Sequence, residues 1–266
     1  MAGFRPRFFV EGPGHWGASP ETGGLLELSP EDSHHAVRVL RLAPGDLCEV
    51  VMTGSVYSAT VASSTIPCIV RLDSPLYGRA AGASYQIAVG LVQRVERPSL
   101  LDYVVEKGTE AGASFFLLLG LKGVSPSRGS SERSSRWQRI AREAAKQSKQ
   151  TSVPAVEFLP SVEAAQEWLE RKRARSVVLD PEAPRSLGEV LHSSGEVSCS
   201  QPESVPASRR PPVALWVGPE SGWSQLDESY FVKFGMERAR LGQAVLRTET
   251  AGPIAVAVAR FVLEDW

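Results

Sequence analysis

Two hydrophobic rhythms divide the chain. Over roughly the first 78 residues, apolar and polar positions alternate in short runs broken by turn residues. Leu47 to Ala62 (LCEVVMTGSVYSATVA) reads as two strands around the turn pair Thr53-Gly54. Pro44-Gly45-Asp46 marks another turn just before them. One short helix is predicted near Pro30 to Leu40, with Ser29 as its cap and Pro30 at its first position. These signals predict a small β-barrel or sandwich over residues 1–78. Arg71 to Ser84, rich in Pro, Gly and Ser, forms the linker.

Beyond the linker the rhythm becomes strand, helix, strand. Gln86 to Val92, Ser114 to Gly120, Ala155 to Leu159, Ser176 to Asp180 and Val213 to Gly218 are short apolar runs of buried-strand type. Between them lie helical periods at Ser99 to Gly112, Glu132 to Ser148 and Ser161 to Arg173. In the second of these Trp137, Ile140, Ala141, Ala144 and Ala145 share one face. Gly112 supplies a helix stop. This alternation predicts an α/β domain over residues 79–266, a parallel sheet with helices on both faces. Residues 184–212 lack an apolar period and read as an exposed, flexible insertion. No internal repeat is visible.

Composition narrows the class. The chain has 266 residues, 42% hydrophobic and 22% charged, as expected of a globular protein of about two domains. Its formal net charge of −1 argues against bulk nucleic-acid binding while leaving local patches open. Cys48, Cys68 and Cys199 are few and far apart, which favours a reducing compartment. No apolar run approaches the ~20 residues of a membrane helix, and the N-terminus lacks a signal-peptide core. A cytoplasmic protein without a membrane partner is expected.

Three segments carry candidate chemistry. Leu215 to Glu228 (LWVGPESGWSQLDE) runs from a strand through a Gly-Pro-Glu-Ser-Gly bend into a helix capped by Ser224, with Asp227 at capping-box spacing. Ligands of open α/β sheets bind beyond the carboxyl ends of strands, so this is either a ligand loop or a plain tight turn. Ser221 lies in G-x-x-S-G rather than a nucleophile elbow, and neither a dinucleotide fingerprint nor a P-loop is present. Arg247 to Thr250 forms a polar knot between apolar segments, a reacting cluster or a surface ion pair of Arg247 with Glu249. Thr248 or Thr250 is expected to cap the last helix, with Pro253 in its first turn. Arg128 to Lys149 is a basic stretch that suits either phosphate contacts or a solvated helix face. His34 and His35 are adjacent and only two other histidines exist, so no metal site is expected.

Taken together, five segments resemble the RsmE family, the uridine-N3 methyltransferases of small-subunit ribosomal RNA, of the SPOUT class. They are HHAVRVLRLAPGD (from His34), VEKGTEAGA (from Val105), RWQRIAREAAKQS followed by VPAV, WVGPESGWS, and LGQAVLRTETA (from Leu241). They occur in family order across nearly the whole chain. The resemblance implies a PUA-like β-barrel before a SPOUT-like domain with a parallel sheet and a trefoil knot, and a homodimer. It implies methyl transfer from S-adenosylmethionine, leaving S-adenosylhomocysteine, to N3 of a uridine in the decoding region of 16S rRNA, in the setting of the small ribosomal subunit.

The cofactor positions it implies are Leu179, Asp180, Val217, Gly218, Pro219, Glu220, Gly222, Leu241, Gly242, Leu246 and Thr248. Glycines there allow a nucleoside to approach the main chain. Glu220 and Glu249 are candidate bases for the N3 proton, and Arg247 a candidate for charge developing on uracil oxygens. Arg38, Arg41, Arg136 and Arg139 are candidate RNA contacts. The first 78 residues set five arginines against eight carboxylates, which favours recognition by shape over a phosphate grip. The chain departs from the family in Ser221 for a glycine, TEAG for TELG, Gln150 for an arginine, and a longer 184–212 segment; the basic residue before the first helix is Arg94 or Arg97. Two other functions compete with this expectation: an RNA-binding or ribosome-assembly protein without catalysis, and a methyltransferase acting on another RNA such as tRNA.

Overall fold

Thr53 and Gly54 both take positive φ, 49° and 79°, the conformation a two-residue hairpin demands. The turn joins strands β3 (Leu47–Met52) and β4 (Ser55–Ser63) in register, with Met52 opposite Ser55 and Leu47 opposite Thr60. A computed structural model describes residues 5–10, 22–77, 82, 85, 87–94, 97, 99–120, 130–193 and 211–263, the side chains of 130–133 excepted. They fall into two compact units, one of residues 1–84 with 145–152, the other of 85–144 with 153–266.

In the first unit the hairpin is extended by β1 (Arg7–Phe9), β2 (Leu25–Glu27) and β5 (Ile69–Leu76) into a sheet of order β1-β3-β4-β5-β2. Only β1 and β3 run parallel. Phe8, Val50, Ala59, Val61, Val70 and Leu72 meet in one core with the free thiols Cys48 and Cys68. Helix α1 (Pro30–His34) starts as its sequence predicts: Ser29 Oγ accepts from Asp32 N–H at 3.1 Å. A π-helical turn, His35–Val39, follows. Segment 145–152 is held by charge. Lys146 pairs with the buried Asp32, Lys149 reaches Glu49 at 2.9 Å, and Arg7 donates to the carbonyl oxygens of Lys149 and Gln150.

The second unit is built on six parallel strands, β6 (Val89–Gln93), β7 (Phe115–Leu119), β8 (Ala155–Leu159), β9 (Arg175–Leu179), β10 (Val213–Val217) and β11 (Glu237–Ala239), in the order β11-β9-β10-β6-β7-β8. Successive side chains point to opposite faces. Leu91, Phe116, Leu118, Val177 and Leu215 enter a core with residues of α2 (Leu100–Glu110), α3 (Ser130–Gln147), α5 (Leu187–His192) and α7 (Thr248–Val262). Val92, Leu117, Val178, Ala214 and Trp216 enter another with α4 (Val162–Arg171) and α6 (Gln225–Lys233). Helix α2 ends in a Schellman motif. Gly112 at φ 93° donates to Thr109 O at 2.9 Å, and Ala113 to Gly108 O at 2.8 Å.

Several expectations need correction. The stretch read as loop from Pro184 contains α5, closed by a full capping box between Ser186 and Glu189 and burying Leu187, Val190 and Leu191; residues 194–210 lie outside the description. Strand β11, three residues without an apolar run, was not foreseen. Neither Thr248 nor Thr250 caps α7. Its N-cap is Arg247, which makes no side-chain cap bond, and Pro253 therefore lies inside the helix. Proline has no N–H to offer, so the carbonyl of Glu249 loses its helical partner.

Candidate active site at the sheet rim

Three adjacent strands, β11, β9 and β10, end on the same rim, and their exit loops enclose a cavity of about 550 Å³. This lies within the usual range for small-ligand sites. Every cofactor position implied by the sequence lines it: Leu179 and Asp180 after β9, Val217 to Glu220 with Gly222 after β10, and Leu241, Gly242, Leu246 and Thr248 on the approach to α7. Arg247 lines it as well; Glu249 does not.

Backbone geometry explains the open interior. Gly222 closes the Pro219 turn by donating to Pro219 O at 2.9 Å and takes φ 80°, a conformation that favours glycine. Among the described residues, added side-chain carbons at Gly222 or Gly242 would meet no atom within 4 Å, so both main-chain surfaces are bare. Gly218 is different. A Cβ there would lie 2.9 Å from Trp223 Nε1, so its lack of a side chain lets the indole pack against the end of β10.

The rim is charged and cross-braced. Asp180 accepts from Arg238 Nη1 at 2.8 Å and from Glu182 N–H at 2.9 Å, and Arg238 also pairs with Glu228. Burial opposes the charge on Arg238, but hydrogen bonds from its guanidinium to Asp180 and Glu228 outweigh it and raise its pKa. Three carboxylates, Asp180, Glu220 and Glu228, face two guanidiniums, Arg238 and Arg247. Arg247 and Glu220 are exposed. No ion pair joins Arg247 to Glu249 among the described residues. A net negative rim with bare main chain suits a cationic ligand that carries a neutral base. Residues with titratable groups sufficient for a metal site are absent among those described.

Sequence reasoning missed part of this lining, namely Pro181, Trp223, Glu228, Arg238, Ala244, Val245 and Ala251. Trp223 and Glu228 stand inside the quoted WVGPESGWS motif or its capping turn, so the signal was present. Arg238 belongs to the unforeseen β11.

The expected RNA contacts separate on inspection. Arg38 and Arg41 are exposed at the end of the π-helical turn, and Arg139 is exposed on α3. Arg136 is paired with Asp102, which also accepts from Trp137 Nε1 at 3.0 Å. Lys146 is buried in its pair with Asp32. The basic stretch is therefore not a continuous free stripe; Arg128 and the side chain of Arg133 lie outside the description.

Fold and site together define an α/β protein with a ligand-sized cavity formed by loops at the carboxyl rim of a parallel sheet, and a second unit built on a β-sheet. The family model described as RNA methyltransferase domain matches residues 83–260, and that described as RNA methyltransferase PUA domain matches 28–73. The chain belongs to the RNA methyltransferase domain family. It is 25% identical over 261 residues to ribosomal RNA small subunit methyltransferase E of Mycobacterium bovis, covering 93% of this chain and 90% of that one. It is 26% identical over 253 residues to the same-named protein of Bacillus subtilis, covering 92% and 93%. Among solved structures, methyltransferase E of Neisseria gonorrhoeae bound to S-adenosyl methionine superimposes with a TM-score of 0.72 at 19% identity, covering 97% of this chain and 98% of that one. A Legionella pneumophila methyltransferase in complex with the same cofactor gives 0.74 at 22% identity with the same coverage. These structures bear out the expected fold class. Among the described residues no helix is long and apolar enough to cross a membrane.

Proposed function

We propose that the chain is an S-adenosylmethionine-dependent methyltransferase acting on N3 of a uridine in 16S rRNA, in the setting of the small ribosomal subunit. The observation that carries this reading is the convergence of three sequence-distant loops, each predicted as cofactor-binding, on one bare-backbone cavity with Arg247 and Glu220 on its wall. When bound, S-adenosylmethionine supplies a sulfonium-activated methyl group. The chain's own work is to hold the nucleoside, aim the target nitrogen and manage one proton.

Leu179, Val217, Leu241 and Leu246 provide apolar surface for an adenine. Gly222 and Gly242 let backbone N–H and C=O groups read its edge, while Gly218 makes room for the Trp223 indole behind the loop. Asp180 and Glu228 lie where hydroxyl groups or a positive charge are well received. As the N3 proton leaves, negative charge spreads onto the uracil oxygens, and Arg247 stabilises it. Glu220 takes the proton; the other candidate base, Glu249, stands off the cavity wall. The N3–methyl bond forms as the sulfur–methyl bond breaks, leaving S-adenosylhomocysteine. The target base must be unstacked to reach a concave site of this kind. Of the expected contacts, Arg38, Arg41 and Arg139 are exposed guanidiniums that can meet RNA phosphates.

The protein acts as a cytoplasmic homodimer in this reading. Exposed Ile254 and Phe261 of α7 and Tyr103 of α2 give the second unit apolar surface suited to self-association. Light scattering at micromolar concentration checks it, and a monomeric mass removes it.

The decisive experiment incubates the protein with methyl-labelled S-adenosylmethionine and either small ribosomal subunits, free 16S rRNA or tRNA, followed by nucleoside mass analysis. Label in N3-methyluridine of 16S rRNA is expected. Label confined to tRNA, or cofactor binding without transfer to any RNA, overturns the assignment. Arg247→Ala is expected to lower kcat by about a hundredfold, the usual cost of one lost charge-stabilising donor.

A further inference from the structure

Beyond the loops that line the cavity, one charged side chain behind them is anchored in an unusual way. Arg94 follows β6, and its N–H donates to Val217 O at 3.1 Å, which carries the β6–β10 ladder to the mouth of the cavity. Its guanidinium Nη1 donates to Asp227 Oδ2 at 2.6 Å, with both side chains largely buried, 17% and 8% exposed. The same carboxylate oxygen accepts from Ser224 N–H at 3.1 Å and from Ser224 Oγ at 2.7 Å. Asp227 therefore caps α6 and binds Arg94 through one atom.

The guanidinium also stands 5.3 Å from the ring centre of Trp223, which lines the cavity. Trp223 meets Phe231 edge-on at 5.0 Å and Trp216 at 6.4 Å. The loop from Gly218 to Ser224 is thus gripped at its far end by Asp227 and along its side by the indole, with Arg94 touching both grips. Two buried N–H groups of this cluster, Arg94 Nε and Trp223 Nε1, have no hydrogen-bond partner among the described residues. Such groups are costly to bury, and their presence beside a ligand cavity fits a cluster placed for function.

We infer that Arg94 is a positioning residue for the cofactor loop: it fixes Trp223 and the α6 cap so that the Gly218–Gly222 backbone faces the cavity in its binding conformation. The inference rests on the reading that this cavity takes S-adenosylmethionine. Arg94 need not touch the ligand. A planar guanidinium can meet a carboxylate and lie over an indole at once, which an ammonium does less well.

The test measures S-adenosylmethionine and S-adenosylhomocysteine binding by calorimetry, with steady-state methyl transfer, for Arg94→Met, Arg94→Lys, Asp227→Asn and the Arg94→Met/Asp227→Asn pair. Arg94→Met is expected to raise the Kd and the KM for the cofactor about tenfold with kcat within about twofold, and Arg94→Lys to recover part of the loss. The double variant is expected to be no worse than the poorer single, because the two residues act as one unit. A purely structural role would lower the unfolding midpoint and the active fraction and leave the KM of the folded fraction unchanged; that result overturns the inference. So does additivity in the double variant. If Arg94→Met fails to fold, Arg94→Lys alone decides, and wild-type cofactor affinity in it counts against the proposal. If the parent protein binds neither ligand, the cavity assignment itself falls, which is a distinct outcome.

Discussion

Two glycines on the same cavity wall should respond in opposite ways to one added methyl group. At Gly218 a Cβ would sit 2.9 Å from Trp223 Nε1, 3.1 Å from Cε2 and 3.2 Å from Cδ1. The indole has little room to retreat, being packed on Trp216 and Phe231 and covered by Arg94. Gly218→Ala therefore overpacks a fixed ring, at a cost of about 1–3 kcal/mol. At Gly242 no atom lies within 4 Å of the same carbon, and the residue is outside the left-handed region. Gly242→Ala should stabilise the fold by about 0.4–1 kcal/mol by restricting the unfolded chain. Its methyl group would, however, stand in space that the ligand needs. One misplaced methyl in a fitted pocket is worth about 1–3 kcal/mol, so the Kd for S-adenosylmethionine should rise by a factor of about 5 to 150. Urea unfolding and cofactor calorimetry on both variants test the pair. The reasoning fails if Gly242→Ala binds the cofactor as tightly as the parent, or if Gly218→Ala unfolds at the parental urea concentration.

Further outcomes follow from buried groups. Arg260 is fully buried and donates to Gly112 O at 3.0 and 2.7 Å, to Ile87 O and to Ser114 Oγ; Arg260→Lys cannot serve these acceptors and should cost about 2–5 kcal/mol in chemical denaturation. Removing one partner of the buried Lys146–Asp32 pair, as in Asp32→Ala, should cost about 3–5 kcal/mol, and adding Lys146→Met should restore part of it. Burial, with smaller contributions from nearby Cys68, Asp73 and Glu49, pushes the Cys48 thiol up to about 12 from its ordinary value of 9.0. The folded state thus holds this proton longer than the unfolded chain. Its contribution to stability is complete below pH 9 and is lost as pH rises toward 12, so Cys48→Ala should flatten the alkaline fall in unfolding midpoint.

What the chain order discloses depends on whether the signal is local. The hairpin at Thr53-Gly54, the caps at Ser29 and Ser224 and the stop at Gly112 each rest on one residue's own conformational chemistry, and each stands where the sequence puts it. The cavity loops were legible through motifs that sit at strand ends. Other features were hidden because their cause is tertiary. Strand β11 is Glu-Arg-Ala, held by pairing with β9 rather than by its own apolar content. Helix α5 sits among Ser, Pro and Gly, and its apolar side chains are too few to show a period over six residues. The basic stretch looked uniform in sequence, yet Arg136 and Lys146 are neutralised by Asp102 and Asp32, more than 30 and more than 110 positions away. Arg94 stood out only as one of two candidates for a basic residue before the first helix; its partners Trp223 and Asp227 lie over 125 residues later and left no local trace. The knot implied by family resemblance has no residue signature, because threading is a property of the path and not of any local pattern.

The last helix links these observations. Its first turn forms part of the cavity wall through Thr248 and Ala251, and the turn is pressed onto β6, where Gly252 faces Gln93 and Leu91 with no room for a Cβ. Gln93 Nε2 donates to Thr248 O at 3.4 Å. Near its other end Arg260 ties the helix to the Schellman turn at Gly112 and stacks over Tyr85 at 3.8 Å. The helix is therefore a rod pinned at two points about 18 Å apart, twelve residues at 1.5 Å each. A pinned rod transmits displacement, whereas a frayed helix would absorb it. Loosening Arg260 should then weaken cofactor binding although the residue does not line the cavity, and displacing the first turn by Gly252→Ala should do so more, because Gly252 directly follows the wall residue Ala251. The ordering matters: were Arg260→Lys to lower stability while leaving cofactor affinity intact, the helix would have to be held by its first turn alone, with the wall residues Thr248 and Ala251 positioned by the packing of Gly252 on Gln93 and Leu91 without help from the rest of α7.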